Sequence, residues 1–213
     1  MIKVIFDMDG TLLDTQTIYI PAWEEAGKKQ GFTGMGNNVK YVCGTNNEGS
    51  GKFLKEHFPT LDIPLFRKHY EEYVNEHLVV RYKKGVKETL DFLKENGIEM
   101  AVASGTDKKR ASARLKAVDC MDYFKVTIFG DEVENGKPAP DIFLKTAALM
   151  GAKPEECIIF EDSGNGIRAA NNAGIRCIGI PDVVEFNSEI KSMLLAEYNS
   201  MDESIELLKE LIK

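Results

Sequence analysis

Five short apolar runs constrain the fold of this chain more than any other feature. Each has the length of a β-strand and lacks alternation of polar and apolar residues; the runs span 2–6, 98–103, 126–129, 157–160 and 176–180. Strands that are apolar on both faces are typical of a parallel sheet covered by helices on both sides. The segments between the runs show helical spacing of apolar residues. This alternation predicts a doubly wound, Rossmann-like α/β sheet.

Helix signals lie between these runs. Gly97 is expected to end a helix that carries Val86, Leu90 and Leu93, and Pro140 suits the first turn of another. Asp202 is expected to cap the last helix.

One stretch, from about 15 to 82, contains no strand pattern. Its helical patterns lie at 18–29, 51–58 and 64–78, and loop compositions at 31–38 and 59–62 separate them. We therefore predict an α/β core formed by residues 1–14 and 83–213, with a small helical domain of residues 15–82 inserted after the first strand.

Composition excludes several classes of function. The 213 residues include 27 basic and 34 acidic side chains, a net charge of −7, which disfavours a nucleic-acid-binding protein. No apolar run is long enough for a membrane helix, and the N-terminal apolar run ends too early, at Asp7, for a signal peptide. A cytoplasmic protein is expected, with its oligomeric state open and a monomer favoured. The four cysteines lack metal-site spacing and are expected to be buried free thiols.

Chemically active side chains follow four of the apolar runs. They are Asp7, Asp9 and Asp14 after the first, Ser104, Gly105 and Thr106 after the second, Lys137 beyond the third, and Glu161 and Asp162 after the fourth. Because ligands of parallel sheets bind at the carboxyl ends of strands, we expect these side chains to converge. Several carboxylates in one partly buried site repel one another, and a hard divalent cation with oxygen ligands relieves that repulsion. The set predicts Mg²⁺ rather than zinc.

Each of these features also has a plainer interpretation. A single acid at a strand end is more often a helix cap or a solvated loop residue, but the ordered combination favours a site. Residues 44–53 end in Gly-Lys, but they lack the glycine and hydroxyl of a nucleotide-binding P-loop and follow no core strand. Trp23 is expected to pack in the core of the inserted helices, whereas Tyr19 suits core packing and substrate contact equally.

The ordered motifs resemble the haloacid dehalogenase superfamily of phosphohydrolases, close to its β-phosphoglucomutase-like branch. The segments that carry the resemblance are FDMDGTLLDT at 6–15, ASG at 103–105, GKPAPDIF at 136–143 and FEDSGNGI at 160–167. The inserted helices match the family's cap in placement and length more than in motif, and residues 44–53 would form a cap loop that folds over the active site. The resemblance implies a Mg²⁺-dependent enzyme that acts on a small phosphorylated metabolite.

The resemblance also implies residue roles. Asp7 would be the nucleophile that becomes an aspartyl-phosphate, and Asp9 the general acid and base. Mg²⁺ would be held by Asp7, the Asp9 carbonyl and Asp162, with Glu161 in direct or indirect contact. Ser104 and Lys137 would act on the phosphoryl oxygens. The further substrate contacts would be Thr15, Tyr19, Gly44, Asn47, Gly105 and Thr106.

Departures from the family pattern bear on the reaction. Dehalogenases of the superfamily lack the second aspartate, so Asp9 disfavours carbon–halogen chemistry. Tyr19 and Asn47 stand where the β-phosphoglucomutase pattern has a histidine and an arginine, which favours a sugar or polyol phosphate phosphatase. A phosphomutase is the alternative, and Lys40, Lys52 or Lys55 would then replace the arginine.

Two other classes of function are weaker. A non-catalytic binding module would need a defect at Asp7, Asp9, Lys137 or Asp162, and none is present. A protein phosphatase is disfavoured because a helical cap would exclude large substrates.

Overall fold

The centre of the molecule is a six-stranded parallel sheet. The computed structural model describes residues 2–212. The strands are β1 (Lys3–Phe6), β2 (Met100–Ser104), β3 (Phe124–Phe129), β4 (Cys157–Glu161), β5 (Arg176–Gly179) and β6 (Ala196–Glu197). Their order in the sheet is β3-β2-β1-β4-β5-β6, and every pair is parallel. The predicted doubly wound α/β sheet is confirmed.

Ten helices accompany the sheet within the described residues. They are α1 (Tyr19–Lys28), α2 (Val39–Val42), α3 (Asn47–His57), α4 (Ile63–His77), α5 (Val86–Glu95), α6 (Lys108–Ala117), α7 (Asp141–Leu149), α8 (Gly164–Asn172), α9 (Ser188–Lys191) and α10 (Ile205–Leu211). Short 3₁₀ turns lie at Met35–Asn38, Met121–Tyr123, Pro154–Glu156 and Met201–Ser204.

The two faces of the sheet bury separate apolar cores. Alternate residues of β1 point to opposite sides, so Val4 and Phe6 pack with α5 and α10 while Ile5 packs with α7 and α8. This burial on both faces explains why the strands are continuous apolar runs.

The strand order places a switch point beside β1. The chain runs from β1 outward to β2 and β3, then returns to β4 on the other side of β1. In β1, Phe6 is in register with Val102 of β2 and with Phe160 of β4. The residues that follow these strands therefore meet where such folds bind ligands.

Helices α1 to α4 form a second layer above that edge of the sheet. Their own apolar cluster contains Trp23, Leu54 and Phe66, with Trp23 edge-on to Phe66 at 5.3 Å between ring centroids. The expected core role of Trp23 is confirmed. Two paired segments join this layer to the sheet, with hydrogen bonds from Asp14 N to Arg81 O at 2.9 Å and from Lys83 N to Leu12 O at 3.0 Å. The predicted boundaries of the inserted domain, 14/15 and 82/83, lie side by side at this pair.

Several local predictions are corrected. Asp202 does not cap the last helix, because the 3₁₀ turn Met201–Ser204 delays α10 to Ile205, and the Asp202 carboxyl instead lies against Gly85. Helix α3 begins at residue 47 rather than 51, since the Asn46 side chain accepts a hydrogen bond from Gly49 N at 2.9 Å and caps the helix. Helices α2, α6 and α9 and the two-residue strand β6 were not predicted.

The cysteine and membrane expectations were checked on the same residues. All four cysteines are free thiols; Cys120, Cys157 and Cys177 are buried, whereas Cys43 is half-buried. Within residues 2–212, no helix has the length and apolar character needed to cross a membrane.

Candidate active site

Asp7 and Lys137 form a buried ion pair at the carboxyl end of β1. Lys137 Nζ donates to Asp7 Oδ1 and to Glu161 Oε1, both at 2.6 Å, and lies 4.8 Å from the centre of the Phe143 ring. Burial raises the pKa of Asp7 to about 8, with Glu161 and Asp9 adding to the rise and Lys137 opposing it. The single positive charge of Lys137 is therefore not enough to stabilise the Asp7 carboxylate in this buried position.

Asp9 lies two residues further on and is held by a dense set of donors. Its Oδ1 accepts from Arg114 Nη1 at 2.6 Å, from Thr15 Oγ1 at 2.5 Å and from Tyr19 OH at 3.2 Å, and its Oδ2 accepts from Thr106 Oγ1 at 2.6 Å. Burial alone would raise the pKa of Asp9, but the Arg114 charge and the threonine hydrogen bonds outweigh burial and hold that pKa below its usual value. Asp9 is thus fixed in position as a carboxylate.

Gly10 brings Asp162 next to this pair. Its φ is +89°, and a Cβ there would lie 2.5 Å from Asp162 Oδ2, so only glycine allows the turn and the close approach. Thr11 Oγ1 donates to Asp162 Oδ1 at 2.8 Å. Burial, followed by the charges of Glu161 and Asp7, raises the pKa of Asp162 well above its usual value.

Gln16 supplies a test of whether this site suits a cation. Its Nε2 contacts Asp9 O at 2.5 Å and Asp162 Oδ2 at 2.7 Å, while its Oε1 is buried with no partner among the described residues. The NH₂ group of Gln16, a hydrogen-bond donor, therefore lies between two of the predicted metal ligands, Asp9 O and Asp162 Oδ2. The oxygen donors and the raised pKa values of Asp7 and Asp162 fit a hard divalent cation. Within residues 2–212, no group of three or more histidine, cysteine or acidic side chains is arranged to hold a metal ion. The predicted ligand set instead combines carboxylates with the backbone carbonyl of Asp9.

Glu161 has a different surrounding from Asp162. Its Oε1 accepts from Lys137, and its Oε2 accepts from Ser163 N at 2.7 Å and Ser163 Oγ at 3.0 Å. A Cβ at Gly166 would lie 1.7 Å from Glu161 Oε1, so the start of α8 must be glycine to admit this carboxylate. These contacts place Glu161 to orient Lys137 and the loop after β4.

A cavity of about 160 Å³ lies between the sheet and the inserted helices. Of the residues predicted from the sequence, it is lined by Asp7, Asp9, Tyr19, Gly44, Asn47, Ser104, Gly105 and Thr106. Four of the predicted residues do not line it and are buried: Thr15, Lys137, Glu161 and Asp162. Thr15 contacts Asp9 and Lys137 contacts Asp7. The exposed Lys40, Lys52 and Lys55 do not line it either.

The roof of the cavity is the loop at residues 43–46. Asn165 Nδ2 donates to Cys43 O at 3.0 Å, and a Cβ on Gly105 would lie 3.0 Å from Thr45 O. A Cβ on Gly44 would lie 2.2 Å from Ser163 Oγ. The N-terminal part of the predicted cap loop thus packs directly on the sheet's loops, whereas residues 47–53 belong to α3.

Sequence reasoning missed six polar residues of this cavity: Gln16, Arg67, Tyr70, Glu71, Arg110 and Arg114. Arg114 is the most buried of the arginines, with an exposed fraction of 7 %. The only sequence signal was the i, i+4 spacing of Arg110 and Arg114 on one face of α6.

Arg114→Met is expected to move the acidic limb of the pH–rate profile upward by about one pH unit or more. Arg114 holds the pKa of Asp9 low, so its loss raises that pKa, and the carboxylate form of Asp9 is lost at a higher pH. The measurement is kcat against pH. Arg168→Met, which removes a surface arginine paired with Glu189, is the control and should leave the profile in place. Superimposable profiles for Arg114→Met and the unchanged protein would contradict the assignment.

Comparison with known proteins identifies the family. Residues 4–180 match the family described as haloacid dehalogenase-like hydrolase. The chain belongs to this family. A phosphorylated carbohydrates phosphatase of Thermotoga maritima is 33% identical over the full length of both chains. The fructose-1-phosphate phosphatase YqaB of Escherichia coli is 30% identical, covering 83% of this chain and 95% of its own.

Solved structures of haloacid dehalogenase-like hydrolases agree with this placement. A Thermotoga maritima structure, provisionally named a β-phosphoglucomutase, has 31% identity and a TM-score of 0.76, with 99% of both chains covered. The resemblance to the β-phosphoglucomutase-like branch is confirmed, and the chain is a phosphoric monoester hydrolase of the haloacid dehalogenase-like family.

Proposed function

We propose that this protein is a Mg²⁺-dependent phosphatase that hydrolyses a small sugar or polyol phosphate through an aspartyl-phosphate on Asp7. The observation that carries the proposal is the placement of Asp7 and Asp9 side by side in one roofed cavity. The phosphatase names of the relatives support the same substrate class.

The contacts of the two aspartates support a division of roles. Lys137 binds Asp7 Oδ1, and Oδ2 accepts no hydrogen bond within residues 2–212, which leaves it for attack on phosphorus. The new bond joins Asp7 to phosphorus as the bond to the leaving oxygen breaks, and the Asp9 carboxylate passes to that oxygen a proton that arrives on the monoanionic phosphate of the substrate. Asp9 then takes a proton from the water that hydrolyses the acyl phosphate, and Arg114 stabilises its carboxylate between the two steps.

The site residues also suit charge neutralisation. Asp7, Asp162 and the Asp9 carbonyl would hold Mg²⁺, which supplies positive charge beside the phosphoryl oxygens. Lys137 adds a second positive charge at Asp7, and Ser104, buried at the end of β2, offers a hydroxyl. The inserted helices act as a cap, and we propose that the paired segments at Leu13 and Tyr82 are its hinge.

A phosphomutase is the second candidate, and one observation bears on it. Asn47 stands where the β-phosphoglucomutase pattern has an arginine. Arg67 and Arg110 both donate hydrogen bonds to Asn47, so two positive charges lie beside this position. The lysines suspected from the sequence are not those neighbours. The tyrosine at position 19 still favours hydrolysis, because its hydroxyl bonds Asp9 directly where the family pattern has a histidine.

The test is a panel of phosphorylated sugars and polyols incubated with and without Mg²⁺ and scored for released phosphate. Release is expected with Mg²⁺ and should fall at least about tenfold with excess chelator, because the carboxylates then face the phosphate uncompensated. Calorimetry also measures the affinity of the substrate-free protein for Mg²⁺, which is a readout independent of activity.

The mutase alternative is decided with β-glucose 1-phosphate, primed with a bisphosphate. Phosphate release should exceed formation of glucose 6-phosphate, measured with a coupled dehydrogenase. The reverse ratio would replace the phosphatase by a phosphomutase, and full activity in chelator would remove the metal from the mechanism.

A further inference from the structure

Two arginines from different layers meet at the cavity wall. Arg67 lies on α4 of the inserted helices and Arg110 on α6 beside the sheet, and both line the cavity that contains Asp7. Arg67 Nη2 donates to the backbone oxygen of Asn47, and Arg110 Nη2 donates to its Oδ1 at 3.4 Å. Asn47 thus accepts hydrogen bonds from both guanidinium groups.

The charges of these arginines are not equally balanced. Arg114 is paired with Asp9, and Arg110 is paired with Asp107 and lies 3.5 Å from Glu71. Arg67 forms no ion pair within 4.0 Å of a carboxylate among residues 2–212, although it is half-buried. Burial, followed by the nearby Arg110 charge, lowers the pKa of Arg67, and the charge of Glu71 offsets this only in part.

The backbone around Arg67 leaves room for its guanidinium. Gly51, in the middle of α3, faces it, and a Cβ at that position would lie 2.9 Å from Arg67 Nη2. Any larger residue there would push the guanidinium aside. Gly51 thus allows the guanidinium of Arg67 to lie against α3.

We infer that Arg67, assisted by Arg110, forms a subsite for a second anionic group of the substrate. That group lies at the end of the substrate remote from the phosphate that is cleaved. This inference rests on the proposed function and names its substrate class: a small phosphorylated metabolite that also carries a carboxylate or a second phosphate. A planar guanidinium suits either group, because it donates two parallel hydrogen bonds to it. An anion bound there supplies the counter-charge that Arg67 lacks.

The experiment uses three matched series of substrates. Straight-chain alkyl phosphates have an apolar tail, ω-carboxyalkyl phosphates end in a carboxylate, and alkanediol bisphosphates end in a second phosphate, each with two to six carbon atoms. We expect kcat/KM for at least one anionic series to exceed that of the alkyl series at one chain length by about tenfold or more, the scale of a charge-assisted hydrogen bond. The series that gains identifies the anionic group.

Substitutions at position 67 test whether Arg67 causes the preference for anionic tails. Arg67→Met should reduce the ratio of anionic to alkyl kcat/KM about tenfold, and Arg67→Lys should restore part of it. Lys68→Met is the matched control, because Lys68 is an exposed neighbour on the same helix with a side chain that is 70% accessible. It should leave the ratio unchanged.

Measurements of ligand affinity test the Arg67 subsite without relying on enzymatic turnover. Phosphonates with the same tails cannot be hydrolysed, and their affinities are measured by calorimetry for the unchanged protein and the three variants. If no phosphate is released from any substrate but anionic phosphonates still bind more tightly through Arg67, the proposed phosphatase fails and the subsite stands. Equal affinities for anionic and alkyl tails, or a preference that survives in Arg67→Met, would overturn the subsite.

Discussion

Asp7→Asn is expected to reduce phosphatase turnover by at least about 10⁴-fold, the scale seen when a covalent nucleophile is removed. An amide cannot attack phosphorus, and the loss of one negative charge also weakens the predicted Mg²⁺ site. The measurement is release of p-nitrophenolate from p-nitrophenyl phosphate under single-turnover and steady-state conditions.

The stability of the same variant separates chemistry from folding. Asp7 is buried, and burial raises its pKa to about 8, so the metal-free protein gains little from its charge at neutral pH. Lys137 keeps its pair with Glu161 after the substitution. The melting temperature should therefore stay close to that of the unchanged protein. Asp14→Asn is the matched control from the same motif and should retain activity. Among residues 2–212, the Asp14 side chain accepts only an exposed hydrogen bond, from Thr17. A folded Asp7→Asn protein with substantial turnover would exclude Asp7 as nucleophile.

Asp9→Asn is expected to fail at a different step. With an activated leaving group the phosphoenzyme still forms, because p-nitrophenolate departs without a proton. Hydrolysis of the acyl phosphate should slow by about 10²- to 10⁴-fold, the usual contribution of a general base. The result is a burst of one p-nitrophenolate per active site, followed by slow release, with a phosphoryl adduct on Asp7 detected by intact mass.

The burst also controls for folding of this variant. Arg114 loses its charged partner in Asp9→Asn, and an unpaired buried arginine destabilises a protein. The amplitude of the burst counts only the correctly folded sites, so the slow phase is compared per active site. Equal and mild losses in Asp7→Asn and Asp9→Asn would contradict the division of roles between the two aspartates.

The sequence was sufficient for the sheet and for the acidic part of the site. Strand periodicity placed Asp7 and Asp162 directly after buried strands, and parallel strands bring such residues together without further information. All strand ends were accurate to within two residues, and the largest differences are β2, which begins at Met100 rather than 98, and β3, which begins at Phe124 rather than 126.

The cationic part of the site was not predictable by the same reasoning. Helix α6 reads Lys-Lys-Arg-Ala-Ser-Ala-Arg-Leu-Lys-Ala, a composition typical of a solvated helix. Arg114 is buried because a helix from another part of the chain covers it and Asp9 pairs with it. Arg67 and Gln16 likewise acquire their roles from contacts across the cavity, which no local pattern encodes.

The packing of Trp23 has a practical consequence. It is the one tryptophan among the 213 residues, it lies in the apolar cluster of the inserted helices, and it also lines the cavity. All indole emission of this protein therefore originates within the layer that covers the aspartates. A change in that emission when a ligand is added reports a rearrangement around Trp23 itself, so cap closure can be timed in stopped flow without attaching a dye.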